Sequence, residues 1–318
     1  MLHSVFAAAQ DVNFSHIENH LGPAADRFFG AGFKRVKYGT RHLSLTDTSV
    51  DSSISLSYPA GWSKKIGSGE LVPHLSTIDA LAIAINLCQD VLLEKFANVD
   101  CCWVRRISIK AGKKPEEDLR EIQAHMHEEL PQVDTQGDTC LAFSGHVGAM
   151  ALQLEIVRPA AADGRANQDG SGNNYYVEGF RKRTQLIDDI VFDSPLKAIS
   201  KLVVVDEEPG SARGGIEASY PQVVTPIDAF VSHLQIAQVL LYKLDNLQRG
   251  QSNTLWMRTT TITAQDPARR SAQARVLMTE LKDANIVTVK GEDWRVAEIV
   301  GHLSGMTLSC SVAHLLPR

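Results

Sequence analysis

The 318-residue chain is 44% hydrophobic and 22% charged, with a net charge of −5. It is long enough for two domains that each bury a core; its acidic balance offers nucleic acid no basic surface, and no apolar run approaches the ~20 residues that span a bilayer. Its five cysteines, Cys88, Cys101, Cys102, Cys140 and Cys310, form no Cys-x-x-Cys pair, which argues against a disulfide scaffold or structural zinc and suits a reducing cytoplasm.

In chain order, the apolar patch at residues 5–9 lacks a preceding basic stretch, so no signal peptide is expected. Gly32-Phe33-Lys34-Arg35 then opens strand material. A helix is predicted over residues 77–96, where Ile78, Leu81, Ile85, Cys88 and Leu92 mark one stripe and Ile83, Leu87 and Val91 a second. A helix apolar on most sides is a buried one. Strands follow at 102–110 and 140–157, the latter broken at its glycines, while 115–130 could supply a second helix. Residues 160–174, rich in Ala, Gly, Asn and Asp without periodicity, read as a linker. Beyond it come Gly179-Phe180-Arg181-Lys182, a second buried helix carrying Ile227, Phe230, Leu234, Ala237, Leu241 and Leu244, and strands at 254–264, 275–281 and 306–316. A hairpin over 286–300 turns near Gly291.

These elements repeat. Gly32-Phe33-Lys34-Arg35 returns as Gly179-Phe180-Arg181-Lys182, Ser76-Thr77-Ile78-Asp79-Ala80-Leu81 (with Gln89 behind it) as Thr225-Pro226-Ile227-Asp228-Ala229-Phe230 (with Gln238), and Trp103-Val104-Arg105 as Trp256-Met257-Arg258. Gly-His-x-x-x-Met-x-Leu starts at Gly145 and again at Gly301. Four matches in one order, at nearly constant offset, indicate two diverged copies: an N-terminal unit over 1–159, the linker, and a C-terminal unit over 175–318. One long helix per copy inside an antiparallel sheet is an α+β double hot-dog, in which the two copies form a pseudo-dimer. A ferredoxin-like unit would need two helices per copy.

Asp79 and Asp228 stand at equivalent helix starts. Each reads as a general acid or base, because hot-dog sites lie where the central helix begins. Each also reads as a cap, since Ser76-x-x-Asp79 and Thr225-x-x-Asp228 resemble capping boxes and Pro226 takes the first helical position. His74 has Val223 as its counterpart, so it is a copy-specific candidate for a general base; a surface-loop histidine is the plainer reading. His233, opposite Ala84 on the second helix, and Gln89 and Gln238 are buried polar groups, either facing substrate or satisfied by backbone. Arg105 and Arg258 could clamp a phosphate or carboxylate, or pair with the aspartate of their own copy. His146 and His302, kept in both copies, suggest architecture. The basic clusters at 34–37 and 181–183 suit a phosphorylated ligand or simply face solvent. His125 and His127 would face different sides of a helix, so no metal is expected. No Gly-x-Ser-x-Gly elbow, Walker loop or dinucleotide fingerprint is present, and no cofactor is expected.

In Phe29-Gly30-Ala31-Gly32-Phe33-Lys34-Arg35-Val36 and in Pro73-His74-Leu75-Ser76-Thr77-Ile78-Asp79-Ala80-Leu81 the chain resembles the AvrD family of bacterial avirulence D proteins. That resemblance implies an enzyme of bacterial secondary metabolism that helps form syringolide-type acylated sugar lactones. Its partners would be a β-ketoacyl thioester, on CoA or acyl carrier protein, and a xylulose-like sugar. Asp228-Ala229 is also similar to the helix start of polyketide-synthase double hot-dog dehydratases, whose His-x-x-x-Gly-x-x-x-x-Pro motif this chain lacks. Acyl transfer or condensation, thioester hydration or dehydration, and non-catalytic binding of an acyl ligand all remain open. A homodimer is open too. On the first reading His74 and Asp228 meet at one cavity on the seam between copies.

Overall fold

The computed structural model describes residues 15–64, 71–134, 137–160, 173–208, 213–252, 254–267, 270, 273–303 and 305–317. The apolar patch at 5–9 and most of the expected linker lie outside the described residues. The strands are β1 (Lys37–Leu45), β2 (Ser49–Ser57), β3 (Trp103–Lys110), β4 (Ile122–Glu128), β5 (Gln132–Val133), β6 (Thr139–Val147), β7 (Met150–Arg158) and β8 (Asn173–Asn174). Then come β9 (Arg183–Ser194), β10 (Lys197–Asp206), β11 (Arg213–Gly214), β12 (Trp256–Ala264), β13 (Arg275–Val289), β14 (Glu292–Leu303) and β15 (Met306–Leu315). Two long helices accompany them, α1 (Thr77–Leu93) and α2 (Pro226–Leu244).

Apart from the short parallel pair β8–β11, every pairing is antiparallel, and one large sheet runs β1-β2-β4-β6-β7-β3-β12-β15-β14-β13-β10-β9. The helices lie against it and touch each other. α1 packs on β2, β3, β4, β6 and β7, and α2 on β9, β10, β12, β13, β14 and β15. A large antiparallel sheet with few, buried helices is consistent with the hot-dog arrangement. The two flanks join where β3 pairs with β12, from Thr259 opposite Lys110 to Thr263 opposite Arg106. Read inward from either edge, the flanks follow the same element order.

Local chemistry explains the elements. Both helices begin with complete capping boxes, Ser76 with Asp79 and Thr225 with Asp228, and α2 has Pro226 in its first turn. Such boxes satisfy two backbone donors that no helix can satisfy internally. Of α1's seventeen residues, fourteen are buried, so its stability comes from packing on all sides rather than from an amphipathic face. The turn from β13 to β14 is Lys290-Gly291, both at positive φ (53° and 79°), as a two-residue hairpin that matches strand twist requires. No helix is long and apolar enough to cross a membrane, among the described residues.

The expected second helix at 115–130 is not formed. Residues 122–128 are strand β4, paired with β2 and β6. Ile122, Ala124 and Met126 alternate inward while Gln123 and His127 face out, a two-residue period that a helical reading of polar charges overlooked. His125 and His127 therefore share a face, with ring centres 5.6 Å apart, and His146 lies 6.1 Å from His125. His125 is taken up by Asp51 at 2.8 Å. Among the described residues no three such groups are arranged to hold a metal.

Candidate active site at the first helix start

A cavity of about 820 Å³ opens at the N-terminus of α1. The first half of the chain contributes Phe28, Tyr58, Trp62, His74, Ser76 and Thr77; the second contributes Gln238, Tyr242, Arg249, Trp256, Arg258 and Trp294. It thus lies on the seam, between the start of one long helix and the C-terminal half of the other. Its aromatic and aliphatic wall is continued by the β13–β14 hairpin through Val287 and Val289. Lys113, Lys114, Arg249 and Arg258 place positive charge around it, with Glu116 and Glu117 beside the two lysines.

His74 sits in this cavity with its ring 5.4 Å from that of Trp256. Its Nδ1 lies 3.2 Å from the Val72 carbonyl oxygen. A carbonyl can only accept, so Nδ1 carries the hydrogen, and in the neutral ring the lone pair is on Nε2. That is the tautomer a general base needs. Ser76 is the cap and Thr77 the first residue of α1; the capping box takes the N–H groups of Ser76 and Asp79, which leaves those of Thr77 and Ile78 without intrahelical acceptors, at an end that favours negative charge.

Asp79 lies just behind this wall and is fully buried. It accepts from Ser76 N at 3.0 Å, Ser76 Oγ at 2.6 Å, Tyr38 Oη at 2.9 Å and Tyr58 Oη. All four donors are neutral. Burial pushes its carboxyl above the usual range, and the hydrogen bonds only partly counter this. The phenols of Tyr38 and Tyr58 are pushed well above theirs, by burial and then by the neighbouring carboxylate.

Asp228 does not line the cavity, so the expected meeting of His74 and Asp228 is not formed. Its side chain accepts from Thr225 N at 3.0 Å, Thr225 Oγ1 at 2.9 Å and Gln185 Nε2 at 2.7 Å, and it pairs with the buried Arg183 guanidinium at 2.9 Å. Arg183 also donates to the carbonyls of Pro221 and Val223. A second buried pair, Arg270 with Glu217 at 3.0 Å, reaches the Val224 carbonyl next door. The region before α2 is thus occupied by protein charge.

The other expected residues divide. Gln238 and Arg258 line the cavity. Gln89 does not: its Oε1 accepts from Ile216 N at 2.9 Å, a backbone role. His233 is buried on α2, hydrogen-bonded to Thr279 Oγ1 at 2.9 Å and packed so closely on Gly301 that a Cβ there would lie 2.6 Å from the ring. The glycine of the second Gly-His motif is explained by that contact. Arg105 pairs with Glu155 at 3.0 Å rather than with Asp79, because its strand neighbour β7 offers a carboxylate on the same face. Nor do the basic clusters simply face solvent. Lys34 reaches across to Thr184 and Glu207, and Arg181 stacks on Tyr38 at 4.9 Å.

Sequence reasoning missed Arg27, Tyr38 and Tyr58. Arg27, in the cavity wall, donates to Gln235 of α2, and burial draws its pKa down to about 10. A signal for the other difference was present. Extending the match of Gly32-Phe33-Lys34-Arg35 with Gly179-Phe180-Arg181-Lys182 sets Val36 opposite Arg183 and Tyr38 opposite Gln185.

Among solved structures the chain is similar to the tesB protein of Mycobacterium avium subspecies paratuberculosis, at 6% identity over 87% of this chain and 96% of that one, with a TM-score of 0.41. It is also similar to a hot dog fold protein of unknown function from Alicyclobacillus acidocaldarius, at 7% identity over 92% and 98%, TM-score 0.40. The 12:0-ACP thioesterase from Umbellularia californica matches at 8% over 74% and 87%, TM-score 0.33. Scores this low leave the fold to be read from the chain's own strand order. No curated protein matches the sequence. The model of the Pseudomonas avirulence D protein (AvrD) family matches residues 12–317, nearly the whole chain, and the chain belongs to that family.

Proposed function

We propose that this chain is an enzyme that joins a β-ketoacyl unit, delivered as a thioester, to a small xylulose-like sugar, giving an acylated sugar or lactone of the syringolide type. We further propose that it is a tandem double hot-dog, with units over 1–159 and 175–318. The shared element order of the two sheet flanks supports this second part. The acyl chain lies along the wall of Phe28, Trp62, Leu255, Trp256 and Trp294, and the thioester carbonyl points to the first turn of α1. The cations at the cavity suit the phosphate of CoA or of a carrier-protein arm. Five free, buried cysteines suit a reducing cytoplasm.

The observation that carries the reading is His74, whose Nδ1–H is held by the Val72 carbonyl at the start of a buried helix, in a cavity walled by aromatic side chains. There it takes the proton of the sugar hydroxyl, or of the acidic carbon between the two carbonyls, while the helix N-terminal amides stabilise the oxyanion. The test is to incubate the protein with a 3-oxoacyl thioester and a pentulose, and to follow free thiol and product mass. The unmodified chain should release thiol and form the adduct. His74→Ala should lose at least about a hundredfold in turnover while binding the thioester as before. Binding without turnover in both proteins would leave an acyl-binding module instead.

A further inference from the structure

Tyr58 is placed where no feature of the sequence put a functional residue. Its ring is in the cavity wall, against Trp62 with centres 5.1 Å apart. Its hydroxyl is within hydrogen-bond reach of two groups at once, the His74 carbonyl oxygen at 2.9 Å and the Asp79 carboxyl. A phenol has one proton and the His74 carbonyl has none. Tyr58 can therefore donate to only one of them. If its proton goes to the carbonyl, the short contact with Asp79 is a hydrogen bond only when Asp79 itself carries the proton and donates it to the phenol oxygen.

The surroundings of Asp79 favour that arrangement. Among the described residues no cation is paired with it, whereas Asp228 at the equivalent helix start is held by Arg183. A carboxylate removed from water with only neutral donors is held less firmly in its charged form than one paired with a guanidinium. The upward shift of Asp79 points the same way. The phenol of Tyr58 is shifted up too, which makes it a donor, and never a base, at neutral pH.

We propose that Tyr58 is the acid of the cavity and that Asp79 is a buried, protonated carboxyl behind it that resupplies its proton. As negative charge develops on the thioester carbonyl oxygen, the Tyr58 hydroxyl turns from the His74 carbonyl, its O–H bond breaks and a substrate O–H bond forms; when the intermediate collapses the C–S bond breaks and that proton leaves with the thiol. The Asp79 proton passes to the phenol oxygen and leaves a carboxylate. The proton taken by His74 balances the one given by Tyr58, so the turnover is proton-neutral and the two residues exchange their proton through water after product leaves. Tyr58 is thus a catalytic residue, and Asp79 a positioning and proton-holding one. The substrate and the base role of His74 rest on the reading above, but the protonation of Asp79 does not.

Two measurements on the full chain separate these. The first is infrared difference spectroscopy at neutral pH without substrate, comparing the unmodified protein with Asp79→Asn. The carbonyl band of a protonated carboxyl should be present in the first, missing in the second, and shifted in Tyr58→Phe, whose ring keeps the packing. No such band means that Asp79 is ionised, and the relay is wrong whatever the reaction. The second is thiol release. Tyr58→Phe should lower kcat by on the order of a hundredfold with little change in KM, and turnover within threefold of the unmodified protein overturns its role as acid. If the unmodified protein releases no thiol, the proposed reaction fails, while the infrared result still decides the relay.

Discussion

The starts of the two long helices are built to the same local plan and held by different chemistry. Each has a hydroxyl cap, an aspartate three residues on, and a complete capping box. At Asp79 the remaining bonds come from two phenols, and the cavity opens one residue away. At Asp228 they come from a guanidinium and an amide, with a second buried ion pair filling in behind. The same residue in the same motif is a carboxyl held by neutral donors beside a ligand-sized space in one half, and a strut paired with arginine in the other. The capping motif therefore does not decide function; the partner opposite it does.

This comparison makes Asp→Asn substitution unequal. A plain cap at either position would cost at most about 1 kcal/mol on such a change. Asp228→Asn instead leaves Arg183 buried and unpaired, and should cost about 3–5 kcal/mol in denaturant unfolding. Arg183→Met, which strands Asp228, should be as severe. Asp79→Asn should stay within about 1 kcal/mol. Equal small losses at both positions would show that the ion pair does not hold the second half.

The glutamines sharpen the same contrast. Gln89→Leu takes the acceptor from the buried Ile216 N–H and should lower stability by about 1–3 kcal/mol. Gln238→Leu removes a group that faces the cavity, and should leave stability within about 0.5 kcal/mol while altering thioester affinity. Calorimetric melting of the two variants, with and without ligand, distinguishes them. Matching stability losses would mean that Gln238 also serves the backbone.

The third comparison is between His233 and its counterpart Ala84. Burial, with His302 nearby, pushes the His233 imidazole down to about 3. The unfolded chain takes a proton below about 6.5 that the folded chain refuses, so this contribution falls as pH drops below that value and continues to fall towards pH 3. By pH 5 the loss is about 2 kcal/mol. His233→Asn should flatten the stability profile between pH 7 and pH 5. A variant whose profile stays as steep as the parent's would place the acid sensitivity elsewhere.

Much of the fold was legible beforehand because its signals are local. The strand at 103–110, the hairpin turning at Gly291 and the last strand came from alternation and turn residues. Where 115–130 gave charges without clear periodicity, the reading failed, and only pairing with β2 and β6 made 122–128 a strand. For the site, His74 was marked out as the histidine found in one copy only, whereas Gln238 and Arg258 were each open between a ligand and a plainer partner, and it is the structure that puts them in the cavity wall. Tyr58 was not marked out at all, since its chemistry depends on a carboxyl 21 residues away and a carbonyl 16 residues away.

By itself the sequence determined the two capped, buried helices and most of the strands. Each rests on hydrogen bonds and burial periods closed within a few residues, so composition and spacing suffice. Only the tertiary structure decided which aspartate is paired with arginine, which glutamine faces the cavity, and at which helix start the cavity opens. Those outcomes depend on partners brought together by strand register and by the seam between the two halves, across as many as 223 residues in the contact of Arg249 with the Asp26 carbonyl. No local period encodes such a distance; the sheet has to form before the partner is chosen.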